Sequence, residues 1–226
     1  MNIFAVHFDP RVAAMELPDK LVSKMIQESA LMLSTAHRIL DGDAYANKEG
    51  FYRKAYENHP CTVWARADAL NYYWLWLHAY SLIKEYEWRF HKAEHKQHAS
   101  EPLICKLKEL PTNIPQVKTS SNQVLADLPL CMPEEYKSFK HENTDSFYQK
   151  AYDVTYAYQK YITRGKSYME DVFKAYKNAI DTNEYHRNKG NYVLMTKREF
   201  PPMWVVSFAS KEQKKHIDLH KLMMPA

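Results

Sequence analysis

Glu28 is the residue whose setting most suggests chemistry. It lies in the stretch PDKLVSKMIQESALMLSTAHRIL, residues 18–40, where Leu21, Met25, Glu28, Met32 and Ile39 follow the alternating four–three spacing of one helical face. That spacing puts a carboxylate at the edge of an apolar core. Burial there costs the charge its hydration unless a cation or hydrogen-bond donors offset it, and Lys24, one turn earlier, is the nearest candidate. Two readings follow from the residues alone: a helix-edge ion pair with Lys24, or a positioned general acid/base.

Other groups are weaker candidates. His91, His95 and His98 fall at i, i+4 and i+7, one helix face, but their spelling HKAEHKQH lacks the HExxH zinc motif. Lys92 and Lys96 would repel a cation, so a solvated basic helix end is expected and no metal or other cofactor. A metal- or radical-oxygenase reading, using these histidines or Glu28 with His37, is the least favoured. Asn58-His59-Pro60-Cys61 places an imidazole beside a thiol without a third orienting group, and no GxSxG element occurs. Basic residues interleave with aromatics at Lys20 and Lys24, at Tyr52-Arg53-Lys54 with Arg66, and from Tyr158 through Lys160 and Arg164 to Lys166. Such clusters suit phosphate contact beside stacking rings, and they equally suit amphipathic surface helices.

Composition narrows the classes. Four glycines in 226 residues, with no GxGxxG or GxxxxGK, argue against phosphate-cradling loops and a hairpin-rich sheet. The charge of +4, with eleven histidines, is a mild bias toward polyanions. Cys61, Cys105 and Cys131 are widely spaced and odd in number, which indicates neither a disulfide framework nor a CxxC zinc site and points to a reducing cytosol. The opening Met1–Val6 has no basic start and meets Asp9-Pro10, so no signal peptide is expected. The aromatic run near Tyr72–Tyr80 is broken by His78, so no membrane span is expected either.

The elements that must hold Glu28 are helical. Asp9-Pro10 reads as an N-cap followed by a first-turn proline, starting a short helix to Leu17; Pro18 breaks it before the helix of residues 19–40, and Asp41-Gly42-Asp43 stops that one. A short helical piece over 48–57 and a Thr62-capped helix from Val63 to about His95 are expected next. The long helix carries a mixed stripe, with Asp68, Asn71 and His78 among core residues, facing either a polar cavity or a seam. Residues 99–145, with five prolines, read as a long wrap with little regular structure. Helices over 145–162 and on to about 179 follow, then a mixed C-terminal extension over 181–226. The expected fold is all-α, one helical domain over residues 1–180.

The string MNIF...DP..AA...DK...KM..E.A..LSTAHR.LDG, then NHP.T.WAR....NY.WL, resembles a family of small proteins of tailed bacteriophages, notably cyanophages. More distantly, the order of features resembles the phage pyrimidine-dimer DNA glycosylases of the endonuclease V type. On that resemblance Asp19-Lys20-Leu21 matches the start of the first long helix, Glu28 falls on the catalytic glutamate, His59 leads the next long helix, and YQKYITRGK matches the basic C-terminal segment. The resemblance implies an all-helical domain and a free N-terminal amine that attacks the sugar C1′ and forms a Schiff base. Here residue 2 is Asn, whose bulk is expected to leave Met1 in place.

Together these features point to a phage DNA-binding protein of glycosylase-like ancestry, acting on duplex DNA in the host bacterial cytoplasm. In that reading Glu28 is the acid/base. Lys20, Lys24, Arg66, Lys160, Arg164 and Lys166 hold phosphates, while His59, Trp64, Asn71 and His37 shape the pocket. The alternative is a non-catalytic phage protein that binds a host protein through its aromatic helices.

Overall fold

The computed structural model describes residues 1–90, 97–137 and 144–170. Among them every regular element is a helix. Helix α1, Pro10–Met15, begins as expected: the Asp9 side chain accepts from the Arg11 N–H and Pro10 occupies the first turn. Pro18 turns the chain, and α2, Asp19–Leu40, presents Leu21, Val22, Met25, Ile26, Ala30, Met32 and Leu33 to the interior. It ends at Asp41, and Gly42 takes φ +84°, a left-handed value that a side chain rarely adopts.

The next helix comes earlier than the sequence suggests. Helix α3 is Asp43–Lys48, and the expected helical piece over 48–57 does not form. Its backbone groups are taken by α2 side chains instead. Arg38 donates to the carbonyls of Tyr52 (2.6 Å) and Phe51 (2.8 Å), and the Thr35 hydroxyl accepts from Ala55 N–H at 3.1 Å. Backbone groups satisfied that way gain little from a local helix.

The expected helix from Val63 to His95 is two helices. Helix α4 is Pro60–Ala67, capped by His59 rather than Thr62; α5 is Ala69–Phe90. Asp68 breaks them, with extended backbone (φ −159°, ψ 147°). One carboxylate oxygen accepts from Leu70 N–H at 2.8 Å, capping α5, while the other accepts from Val117 and Lys118 N–H at 2.7 and 3.0 Å. The polar stripe therefore begins with a cap that anchors a distant loop. Those donors hold the Asp68 carboxyl below its usual range against the opposing effect of burial.

The proline-rich stretch contains more structure than expected: α6, Glu101–Lys106, and α7, Ser121–Ala126, followed by a 3-10 turn, Glu134–Tyr136. The Thr119-Ser120 run is a helix start, in which the Gln123 side chain accepts from the Ser120 N–H at 3.0 Å in a capping box. Leu103, Ile104, Leu107, Val124, Leu125 and Leu128 from this stretch are core residues. Helix α8, Phe147–Gly165, then packs on α7 and buries Ala151, Val154, Ala157, Tyr158 and Ile162.

Helix α5 is the spine, packed on α1 and α2, and Arg89 locks its far end. That side chain is fully buried, and its five N–H groups meet five acceptors. Nε donates to Glu85, the first terminal nitrogen to Asp19 and the Leu17 carbonyl, and the second to the Ala14 and Met15 carbonyls. It thereby ties the C-terminal carbonyls of α1 to the first turn of α2. No helix among the described residues is long and apolar enough to cross a membrane. The expected continuation of helix to 179, the extension over 181–226, and His91 and His95 lie outside the described residues.

Candidate functional site

The chain's opening residues complete the surroundings of Glu28. Ile3, Phe4, Ala5 and Val6 are buried, at 3% exposure or less, in a tight course where Ala5 N–H bonds Ile3 O and Val6 N–H bonds Phe4 O. Helix α8 holds this segment. Gln159 donates to the Val6 carbonyl at 2.8 Å, and the Tyr158 hydroxyl lies 2.9 Å from Asn2 Oδ1 and 2.7 Å from the Pro129 carbonyl. Held there, the Asn2 backbone N–H donates to Glu28 Oε2 at 2.9 Å, and its side-chain amide donates to the Cys131 carbonyl at 2.8 Å. Lys24 stands 3.5 Å from the other Glu28 oxygen. Its side chain is 67% exposed while that of Glu28 is 14% exposed, so the ion pair is a weak partner and the Asn2 N–H the directional one.

His59 and two cysteines adjoin this pair. His59 Nδ1 accepts from Cys61 N–H at 3.2 Å, capping α4. Burial, then the positive N-terminus, hold its pKa down against the pull of Glu28, so its imidazole is neutral at pH 7. Cys61, at the first turn of α4, lies 3.5 Å sulfur to sulfur from Cys131, which comes from the loop between α7 and α8. The thiols titrate as a pair: the contact between the two sulfurs brings Cys131 down to about 7, while the same contact and burial push Cys61 up. The Pro60-Cys61 turn is visible in the sequence. Cys131, Asn2 and Tyr158, whose partners are far along the chain, have no such local signal.

The remaining sequence-derived candidates spread over the structure. Trp64 is buried and donates from Nε1 to the Val124 carbonyl at 3.2 Å. Asn71, also buried, donates to the Trp64 carbonyl at 2.8 Å. His37 is buried between Tyr72 and the Glu109 carbonyl, at 2.9 and 3.1 Å, and burial lowers its pKa. His78 is buried against the Trp74 ring, and neither ring nitrogen has a hydrogen-bond partner among the described residues; burial alone lowers its pKa to about 3. His98 Nε2 meets the Ser23 hydroxyl at 3.1 Å, and its Nδ1 accepts from Ser100 N–H at 3.2 Å at the start of α6.

The cations divide into two groups. Lys20 lies over the Tyr168 ring at 5.0 Å, and Lys166 over Tyr161 and Phe4 at 4.4 and 5.2 Å. With Lys24 they belong to the elements that hold Glu28 and Asn2. Lys160 donates to the Glu135 carbonyl at 2.8 Å, while Arg66 is turned to the Glu57 carbonyl at 2.7 Å. Arg164 is exposed on the last turn of α8.

No curated protein and no solved structure matches the chain. Residues 1–98, which include Asn2, Glu28, His59 and Cys61, match the model of a family described as pyrimidine dimer DNA glycosylase, and this match supports the distant resemblance drawn from the sequence.

Proposed function

We propose that the protein is a DNA glycosylase that acts on pyrimidine-dimer lesions in duplex DNA, with the nitrogen of residue 2 as nucleophile and Glu28 as acid/base. One observation carries the reading: the Asn2 nitrogen is 2.9 Å from the Glu28 carboxylate. As an amide it is no nucleophile. Removal of Met1, which the bulk of Asn2 disfavours and the mechanism requires, makes the same nitrogen a primary α-amine oriented at a proton acceptor. Its attack on the deoxyribose C1′ breaks the bond to the base, which leaves with the electron pair and takes up a proton. The amine gives one proton to Glu28; its second bond to C1′ then forms as the C1′–O4′ bond breaks, the ring oxygen leaving as a hydroxyl that takes that proton back, and the Schiff base keeps the remaining N–H as an iminium.

The flanking cations fit DNA backbone contact. Lys20, Lys24 and Lys166 sit on the elements around the amine and would hold phosphates, with Arg164, Lys160 and Arg66 further out. A phage origin and action in a host cytoplasm accord with the sequence resemblance. No observation favours the alternative of a host-protein binder.

Borohydride trapping on ultraviolet-damaged and abasic duplexes tests the reading. Protein starting at Asn2, prepared by aminopeptidase removal of Met1 and verified by mass, is expected to give a covalent adduct. Protein retaining Met1 is expected to give little. No adduct from the processed form would refute the amine mechanism.

A further inference from the structure

We propose that His59, Cys61 and Cys131 form a binding site for a zinc-class divalent ion beside Glu28. A ring nitrogen of His59 and the two sulfurs all lie within 4.8 Å of one another. The sulfurs are 3.5 Å apart. Two thiolates each about 2.3 Å from a tetrahedral zinc stand roughly 3.8 Å apart, so the sulfurs are close to a ligand spacing. A disulfide needs about 2.0 Å. Thiolate and imidazole together select borderline-soft ions, zinc above magnesium or calcium.

The three donors come from two parts of the fold far apart in sequence: the start of α4 and the loop before α8. Rigid elements hold both. Pro60 and the α4 cap fix His59 and Cys61, while Asn2 holds the Cys131 carbonyl. Binding releases the two thiol protons and leaves both sulfurs as thiolates. A neutral imidazole offers one lone pair, and Nδ1 now directs it at Cys61 N–H. Coordination by that nitrogen replaces the cap bond, and coordination by Nε2 requires the ring to turn over.

Three protein ligands leave a fourth position, the pattern of sites that bind water or substrate rather than of closed structural ones. The Glu28 carboxylate acts electrostatically on His59 and is tied to the same Asn2 that holds Cys131. An ion here would cross-link α4 to the loop before α8 and set a Lewis acid next to the proposed acid/base.

The test uses the full chain, reduced and handled anaerobically, with Zn²⁺ and Co²⁺ as probes. One equivalent of Zn²⁺ should bind, and Co²⁺ should give a thiolate charge-transfer band. Zinc should slow iodoacetamide labelling of Cys131 by more than about tenfold and leave Cys105, exposed on α6, unchanged. His59→Asn and Cys131→Ser should lose the ion; Cys105→Ser should keep it. Labelling of Cys131 at a rate indifferent to zinc would overturn the site, and so would undiminished binding by folded Cys131→Ser. A Cys61–Cys131 disulfide that takes up no zinc after reduction would do the same. None of these readouts involves DNA, so their failure leaves the amine reading standing.

Discussion

Removal of the Arg89 guanidinium should strongly destabilise the packing of α1 and α2 on α5. In Arg89→Met the buried side chains of Asp19 and Glu85, 3% and 8% exposed, lose their cation. The carbonyls of Ala14, Met15 and Leu17 lose a donor at the negative end of α1. Breaking a buried ion pair by deleting one partner costs about 3–5 kcal/mol. For a chain of this size that corresponds to a fall in melting temperature of roughly 6–20 °C. Arg89→Lys should recover little, since an ammonium has three donors for five acceptors. Adding Asp19→Asn and Glu85→Gln to Arg89→Met should restore part of the loss by removing the stranded charges, which a mutant cycle reads as positive coupling. Urea unfolding followed by far-ultraviolet circular dichroism measures all three. A loss below about 1 kcal/mol for Arg89→Met would mean that the five bonds are worth no more than ordinary surface contacts, and the reasoning would fail.

Three further outcomes are expected. Glu28→Gln keeps an acceptor for the Asn2 N–H and gives up only the exposed Lys24 pair, so stability should change by less than about 0.5 kcal/mol while the excision rate falls about 10²–10⁴-fold; an unchanged rate would remove Glu28 from the chemistry. Lys20→Gln and Lys166→Gln should each lower the slope of log binding constant against log salt by about 1, read by fluorescence anisotropy on duplex DNA. Lys106→Gln, whose ammonium faces the Glu49 carbonyl, should not. The buried His78 takes a proton in the unfolded chain below about 6.5 but in the folded one only near 3. Its contribution to stability is therefore complete above pH 6.5 and is lost as pH falls, by at most about 1.4 kcal/mol per pH unit. His78→Phe, keeping the stack on Trp74, should flatten that part of the stability curve in acid titrations.

Local signals carried much of the fold. Asp9-Pro10, Pro18 and Asp41-Gly42 bounded α1 and α2 because caps and prolines act within one turn. Glu28 stood out because a carboxylate interrupts an apolar stripe. What the spacing misjudged was decided elsewhere in the chain. The four–three pattern runs unbroken through Asp68, yet Val117 and Lys118 draw its carboxylate out of helical geometry. Residues 51–55 follow Arg38 and Thr35 rather than their own propensity. The prolines of 99–145 hid two short helices whose apolar residues fill the core. Of the candidate residues, Glu28 and His59 were legible as candidates, the one from its interrupted apolar stripe and the other from the family resemblance. Their companions were not, since Asn2 is 26 residues from Glu28 and Cys131 is 70 from Cys61.

The buried opening segment also governs the order in which the molecule can be finished. Asn2 and Val6 are fastened by Tyr158 and Gln159, across separations of 156 and 153 residues. Residues 2–6 are synthesised long before α8 and must wait for it to emerge before they can settle. Closing so long a loop places this step late in folding and makes it slow. Until it closes, the nitrogen of residue 2 has no fixed neighbour in Glu28, and an unfinished chain does not hold the two groups as a pair. Competence of the site thus reports on completeness of the fold.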